Sequence, residues 1–117
     1  MNPIRPLAIG GATLPNNLLL APLAGYTDAG FRRAAALCGA GMTCTEMVSA
    51  KALHYGSGKT SELMFISPEE RVKAVQIFGS EPEVMAEAAA GPALAKFDVI
   101  DINMGCPVAK ITGNGEG

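Results

Sequence analysis

Short apolar runs and helix-spaced apolar patterns take turns along this chain, and that alternation is the sequence form of βα units laid around a parallel sheet. Four runs carry it, at residues 18–21, 42–47, 73–78 and 99–103. The first ends at Pro22, after which Thr27 or Asp28 offers a helix N-cap, Phe31, Ala34, Ala35 and Cys38 follow at helical spacing, and Gly39 marks a stop. The second leads into a helical stretch over 49–54 and then a loop at Gly56-Ser57-Gly58. After the third, Ser80-Glu81-Pro82-Glu83 has the spacing of a capping box with proline in the first turn. The helix it opens extends to Leu94, with Val84, Met85, Ala88 and Leu94 on one face and a break or kink at Gly91-Pro92. Ahead of all four runs, Leu7-Ala8-Ile9 and Ala12-Thr13-Leu14 flank Gly10-Gly11, which signals a small antiparallel hairpin.

The runs recur roughly every 25–30 residues, the repeat of a (β/α)8 barrel that needs about 250 residues to close. The predicted fold is therefore α/β: the amino-terminal half of a (β/α)8 TIM barrel, about four βα units with a preceding β-hairpin, in one domain over residues 1–117. The chain stops at the glycine-rich Gly113-Asn114-Gly115-Glu116-Gly117 with no closing element, which reads as a truncated barrel. Its open sheet edges are expected to promote self-association. Hydrophobic residues at 49% and charged residues at 17% supply enough apolar surface for a core. A net charge of -2 gives no overall electrostatic footprint for a polyanion. Three cysteines without paired or zinc-like spacing point to reduced thiols and a cytoplasmic protein. No window approaches the roughly 20 apolar residues of a membrane span, and the first ten residues lack a signal-peptide core.

Strand alternation locates the chemistry. Ile100 and Ile102 should turn outward to helices while Val99, Asp101 and Asn103 turn inward; on the third strand Val75 and Ile77 point outward, Ala74 and Gln76 inward. Glu46 ends the second strand. Glu46, Gln76 and Asn103 thus fall near the carboxyl ends of their strands, where barrel enzymes hold their active sites. Gln76, Asn103 and Asp101 could each be a buried polar residue tied up by backbone, but several unpaired amides together would cost about 1–3 kcal/mol each, which favours a ligand or network. In Asn103-Met104-Gly105-Cys106-Pro107 a thiol is held just past a strand, with Gly105 permitting close backbone approach and Pro107 stiffening the turn. Ordinary thiols are mostly protonated at neutral pH, so a cysteine there suits a proton donor. The alternative, a small buried hydrophobe, is the reading for Cys38 and Cys44.

Several blocks occur together: Leu20-Ala21-Pro22-Leu23-Ala24-Gly25-Tyr26-Thr27-Asp28, Phe31-Arg32, Thr45-Glu46-Met47, Val75-Gln76-Ile77-Phe78-Gly79, and Asp101-Ile102-Asn103-Met104-Gly105-Cys106-Pro107. In this order they resemble the tRNA-dihydrouridine synthase family. The resemblance implies flavin mononucleotide (FMN) at a barrel mouth, reduced by NADPH, passing hydride to C6 of a uracil in the tRNA D-loop while a cysteine protonates C5. By the same resemblance Pro22, Leu23 and Ala24 match a flavin-contacting turn, Gln76 the amide that meets the flavin's polar edge, Asn103 a residue beside the reacting base, and Cys106 the acid. Glu46 sits near the flavin in the family pattern, and no metal is implied.

The family's later lysine and histidine, its phosphate-binding loops and its carboxyl-terminal RNA-binding domain are not within these residues. The chain is therefore expected to be a partial FMN-binding catalytic domain that alone neither holds stoichiometric flavin nor reduces tRNA. Three other readings stand beside this one. Dihydroorotate and dihydropyrimidine dehydrogenases resemble the chain in barrel, flavin and an Asn-x-x-Cys-Pro arrangement, but Met104-Gly105 and the turn at 21–25 favour the RNA enzyme. A metal module built on Cys38, Cys44 and His54 would have spacings of six and ten residues, which fit no common zinc motif. A non-catalytic half-barrel that associates with itself is the third.

Overall fold

The computed structural model describes residues 2–117, and its centre is one strand, β5 (Lys73–Phe78), which is paired along both edges. On one edge lie β3 (Thr43–Cys44) and β4 (Val48–Ser49); on the other lies β6 (Val99–Ile102), and every pairing is parallel. Outside β3 runs the segment expected as the first strand. It makes only a parallel bridge from Leu19 to Met42, with Leu20 N–H donating to Met42 O at 3.0 Å and Gly41 N–H to Leu18 O at 2.8 Å. The ladder goes no further because Pro22 has no N–H to give and the chain then enters a tight turn. From edge to edge the order is thus the order of the sequence, an α/β arrangement around a parallel sheet.

The second run does not form one strand over 42–47. Cys44 pairs with Ala74 and Val48 with Ile77, so three residues (45–47) face two (75 and 76). This is a β-bulge, which interrupts the ladder and re-aims side chains. Glu46 accordingly sits in the middle of the interruption, and its expected place at a strand end is corrected.

Alternation along β5 separates two apolar clusters. Val75 and Ile77 join Val48, Met64 and Leu94 on the helix side, with Met85 and Ala89 packed against them. Ala74 and Val72 join Cys44, Met42 and Leu14 on the other side. Leu14 comes from the hairpin of β1 (Leu7–Ile9) and β2 (Ala12–Leu14), which closes the amino end of that face. The hairpin turn depends on Gly10, whose φ of +55° lies where a side chain would be strained.

Helix α1 (Ala29–Leu37) starts as expected, with Asp28 Oδ1 accepting from Phe31 N at 2.8 Å, but its buried face differs. Phe31 is half exposed and Cys38 is exposed at the helix end, whereas Arg32 is 1% exposed. Apolar spacing misplaced this face because buried polar partners, described below, reward the guanidinium. Ser49 caps α2 (Ala50–Tyr55), its Oγ accepting from Ala52 N at 3.2 Å. The expected loop at 56–58 is brief, since α3 (Gly58–Leu63) begins there and buries Thr60 at its centre.

Helix α4 (Pro82–Ala90) has Pro82 in its first turn, but its N-cap is Glu81 without a side-chain cap bond, so the capping box from Ser80 to Glu83 does not form. The Glu81 carboxylate pairs instead with Lys51 Nζ at 3.2 Å. The helix stops at Ala90, short of Leu94, because Gly91 turns extended and Pro92 starts a separate 3-10 turn (Pro92–Leu94). On β6, Ile100 and Ile102 point away from the inner face as expected, yet among the described residues no helix covers them and Ile102 is 54% exposed. The following α5 (Ala109–Thr112) is a single short turn of helix.

A candidate active site at the carboxyl ends of the strands

Parallel pairing sets Gln76 directly beside Asp101, both on the inner face. Gln76 Nε2 donates to Asp101 Oδ2 at 2.6 Å, and Gln76 Oε1 accepts from Asn103 Nδ2 at 3.2 Å. Asn103 Oδ1 in turn accepts from Gly105 N–H at 3.3 Å. Asn103 lies just past β6 but is still held to β5, its N–H donating to Ile77 O at 2.9 Å. Four residues on two strands and a loop therefore form one chain of hydrogen bonds, and it ends beside Cys106. Cys106 is half-buried, and Gly117 folds back against it so closely that a Cβ there would fall 2.6 Å from Cys106 O.

The bulge supplies a second link. Thr45 Oγ1 accepts from Gln76 N–H at 3.2 Å and donates to Glu46 O at 2.8 Å. Glu46, turned out of the ladder, receives Gly25 N–H on Oε1 at 2.6 Å. That bond crosses to the turn after Pro22. Within the turn, Leu23 O accepts from Tyr26 N and Thr27 N, both at 3.0 Å, and Leu23 N–H donates to Thr27 Oγ1 at 3.0 Å. Pro22 is half-buried, Leu23 and Ala24 are exposed, and Gly25 holds φ at +80° with no atom within 4 Å of where a Cβ would stand. The turn therefore presents a small, apolar, open backbone surface.

Behind the same turn lies a buried ion pair. Arg32 Nε donates to Glu70 Oε1 at 3.0 Å, with both side chains 1% exposed. Arg32 Nη1 donates to Thr27 O at 2.8 Å and Nη2 to Phe65 O. Glu70 also accepts from Thr43 Oγ1 at 2.8 Å and, on Oε2, from Ser67 N at 2.8 Å and Ser67 Oγ at 3.2 Å. Burying two charges is tolerable only with such saturation.

Gln76 and Asn103 are thus brought together, and Glu46 joins the turn that bears Pro22, Leu23 and Ala24. Sequence reasoning gave no role to Asp101, Thr45, Thr27, Arg32 or Glu70. Two of these left a signal: Asp101 by its inward position on the last strand, and Thr27 as a rival to Asp28 for the helix cap. Cys38, Cys44 and His54 do not converge: Cys38 is exposed at the end of α1, Cys44 is buried under the inner face, and His54 Nδ1 lies 3.1 Å from Glu87 Oε2. Burial, helped by the charge of Asp101, pushes the Cys44 thiol up to about 12, which leaves it inert as a nucleophile. Two clefts, of about 500 Å³ beside Asn16 and Arg71 and about 390 Å³ between Tyr55 and Lys110, lie away from Gln76 and Asn103. The candidate site is an open face.

Residues 19–117 match the protein family described as dihydrouridine synthase (Dus). Over 105 residues the chain is 42% identical to tRNA-dihydrouridine synthase B of Vibrio parahaemolyticus, covering 90% of this chain and 33% of that protein. It is 41% identical over 109 residues to tRNA-dihydrouridine synthase B of Pseudomonas aeruginosa, covering 93% and 33%. A probable tRNA-dihydrouridine synthase of Treponema pallidum is 45% identical over 114 residues, covering 97% and 34%. The chain spans about a third of the length of these curated relatives.

Proposed function

The chain belongs to the dihydrouridine synthase family, and on that premise we propose that it forms the first part of the catalytic barrel of a flavin-dependent tRNA-dihydrouridine synthase. Its four parallel segments, in sequence order, are then about four βα units of a (β/α)8 barrel, with the hairpin beneath. The reaction is the reduction of uridine to 5,6-dihydrouridine in the D-loop of tRNA, with NADPH as electron donor and the cytoplasm as its place. Among the described residues no helix is long and apolar enough to cross a membrane.

The observation that carries this reading is the hydrogen-bonded chain from Asp101 through Gln76 and Asn103 to Gly105, which joins an amide on β5 and one just past β6 to the cysteine-bearing loop. The residues fit flavin mononucleotide. Ala24 and Gly25 leave open space over which a flat ring can lie, and Gln76, after its two internal bonds, keeps one N–H and one oxygen lone pair for a polar edge. When bound, the flavin supplies the hydride. Pro22, Leu23 and Ala24 would hold the ring by contact, Gln76 would orient it, and Asn103 would hold the unstacked uracil. Cys106 Sγ would give its proton to uracil C5, and the thiolate would recover a proton from water.

The test uses a protein of the relatives' full length carrying these residues. In it, Cys106→Ala should retain bound flavin and its reduction by NADPH, while tRNA uridine reduction falls roughly 10²–10⁴-fold. Undiminished turnover would remove Cys106 from the mechanism.

A further inference from the structure

A side-chain amide can turn end for end at little steric cost, exchanging its donor for its acceptor, so its direction is set by what its neighbours can give or take. The chain through Gln76 and Asn103 contains two such amides in series. If either turned alone, N–H would face N–H or oxygen would face oxygen. Both must therefore be fixed from outside.

The two ends of the chain can do that. An ionised carboxylate only accepts, so the amide facing Asp101 Oδ2 at 2.6 Å must present Nε2. Gln76 then has to offer Oε1 to its other neighbour, which must answer with Nδ2, as Asn103 does. Asn103 Oδ1 is left for the far end, where a backbone N–H, that of Gly105, can only donate. An acceptor-only group at one end and a donor-only group at the other thus agree on a single direction. A charged acceptor makes the strongest link of the series, and such bonds are roughly twice as strong as neutral ones.

We infer that Asp101 is a positioning residue, which locks Gln76 and Asn103 in one orientation and, through Gly105, fixes the loop that bears Cys106. The inference rests on the reading of Gln76, Asn103 and Cys106 given above, and adds to it a group that touches none of the reacting molecules. Its consequence is that Gln76 always shows the same remaining donor and acceptor to whatever it binds. A second consequence is that the cysteine loop and the amide pair are coupled although they lie on different segments.

A protein of the relatives' full length carrying these residues, labelled with 15N and 13C, serves for the test. A scalar coupling across the hydrogen bond from Gln76 Nε2 to the Asp101 carboxyl carbon is expected in the unaltered chain, a measurement that needs no variant. Asp101→Asn keeps the shape but can present either oxygen or nitrogen. It should weaken that coupling by mixing two orientations, double or average the Gln76 and Asn103 side-chain resonances, and raise the exchange rate of the Gln76 amide protons. Iodoacetamide should alkylate Cys106 severalfold faster in this variant, with exposed Cys38 as internal reference. A pairing that merely decorated β5 and β6 would leave that rate alone. Absence of the coupling in the unaltered chain, or unchanged exchange and alkylation in Asp101→Asn, overturns the inference. Failure of the functional reading looks different: equal flavin affinity of Gln76→Leu in the longer protein would discard the cofactor role of Gln76 while the coupling to Asp101 persisted.

Discussion

One polar network grips the turn after Pro22 and another lies across the strands beside it, and they use their hydrogen-bonding capacity in opposite ways. Behind the turn, Arg32 and Glu70 are each 1% exposed, and both carboxylate oxygens of Glu70 are engaged within the protein. In front, Gln76, Asp101 and Asn103 are joined to one another yet keep donors and acceptors in hand, on strands whose outer neighbour β6 is open. The saturated network spends its polarity on holding the chain in place. The unsaturated one leaves polarity for a ligand. Burial alone does not separate them, since Gln76 is itself buried; the count of unspent donors and acceptors does.

Removing a charge from the saturated network should have the largest effect. Arg32→Ala leaves Glu70 buried without its partner, and stability should fall by about 3–5 kcal/mol in urea unfolding, with the turn at 23–27 loosened as Thr27 O loses its donor. A loss no greater than that of an exposed charge would show that water reaches Glu70 and would dissolve the contrast. In the unsaturated network the loss should appear in binding rather than folding. Gln76→Leu, in a protein of the relatives' length, should weaken flavin affinity by about 1–3 kcal/mol by titration. If its unfolding midpoint dropped by as much as its affinity, Gln76 would belong with Arg32.

Cys44 sharpens the comparison from beneath the inner face. Its thiol is raised to about 12 first by burial and then by the nearby charge of Asp101, so the folded state favours the protonated form. A raised pKa means that this contribution to stability is fully present below the unfolded value near 9 and is lost as pH climbs from there toward 12. The expected slope is at most about 1.4 kcal/mol per pH unit. Cys44→Ala should flatten that alkaline limb, whereas an identical limb in the variant would assign it to other groups. The smallest effect belongs to the surface pair of Lys51 and Glu81, whose side chains are 57% and 55% exposed. Lys51→Ala should leave the melting midpoint unchanged within error.

Period-two alternation located Gln76, Asp101 and Asn103 on one face before any coordinates, because a strand offers only two directions. The hairpin was equally legible, since Gly10-Gly11 between two short apolar runs leaves little choice of turn. What could not be read from local pattern was pairing between distant residues. Arg32 lies in an alanine-rich helix that an apolar count turns toward Phe31, and its reason for burial is Glu70, 38 positions away. The bulge was hidden for a similar cause: Met42 to Met47 looks continuous, and only the register against β5 reveals the added residue.

That added residue makes the length of a short segment matter more than its composition. With 45–47 one residue shorter, Cys44 and Val48 could run in step with Ala74 and Ile77, and the ladder would close over the place where Glu46 now leaves it. The carboxylate would then point to a face of the sheet instead of reaching Gly25, and the turn would be fastened from behind only. Descendants of this chain can therefore exchange Met47 for residues of similar bulk, but an insertion or deletion between Thr45 and Met47 should be among the changes they tolerate least.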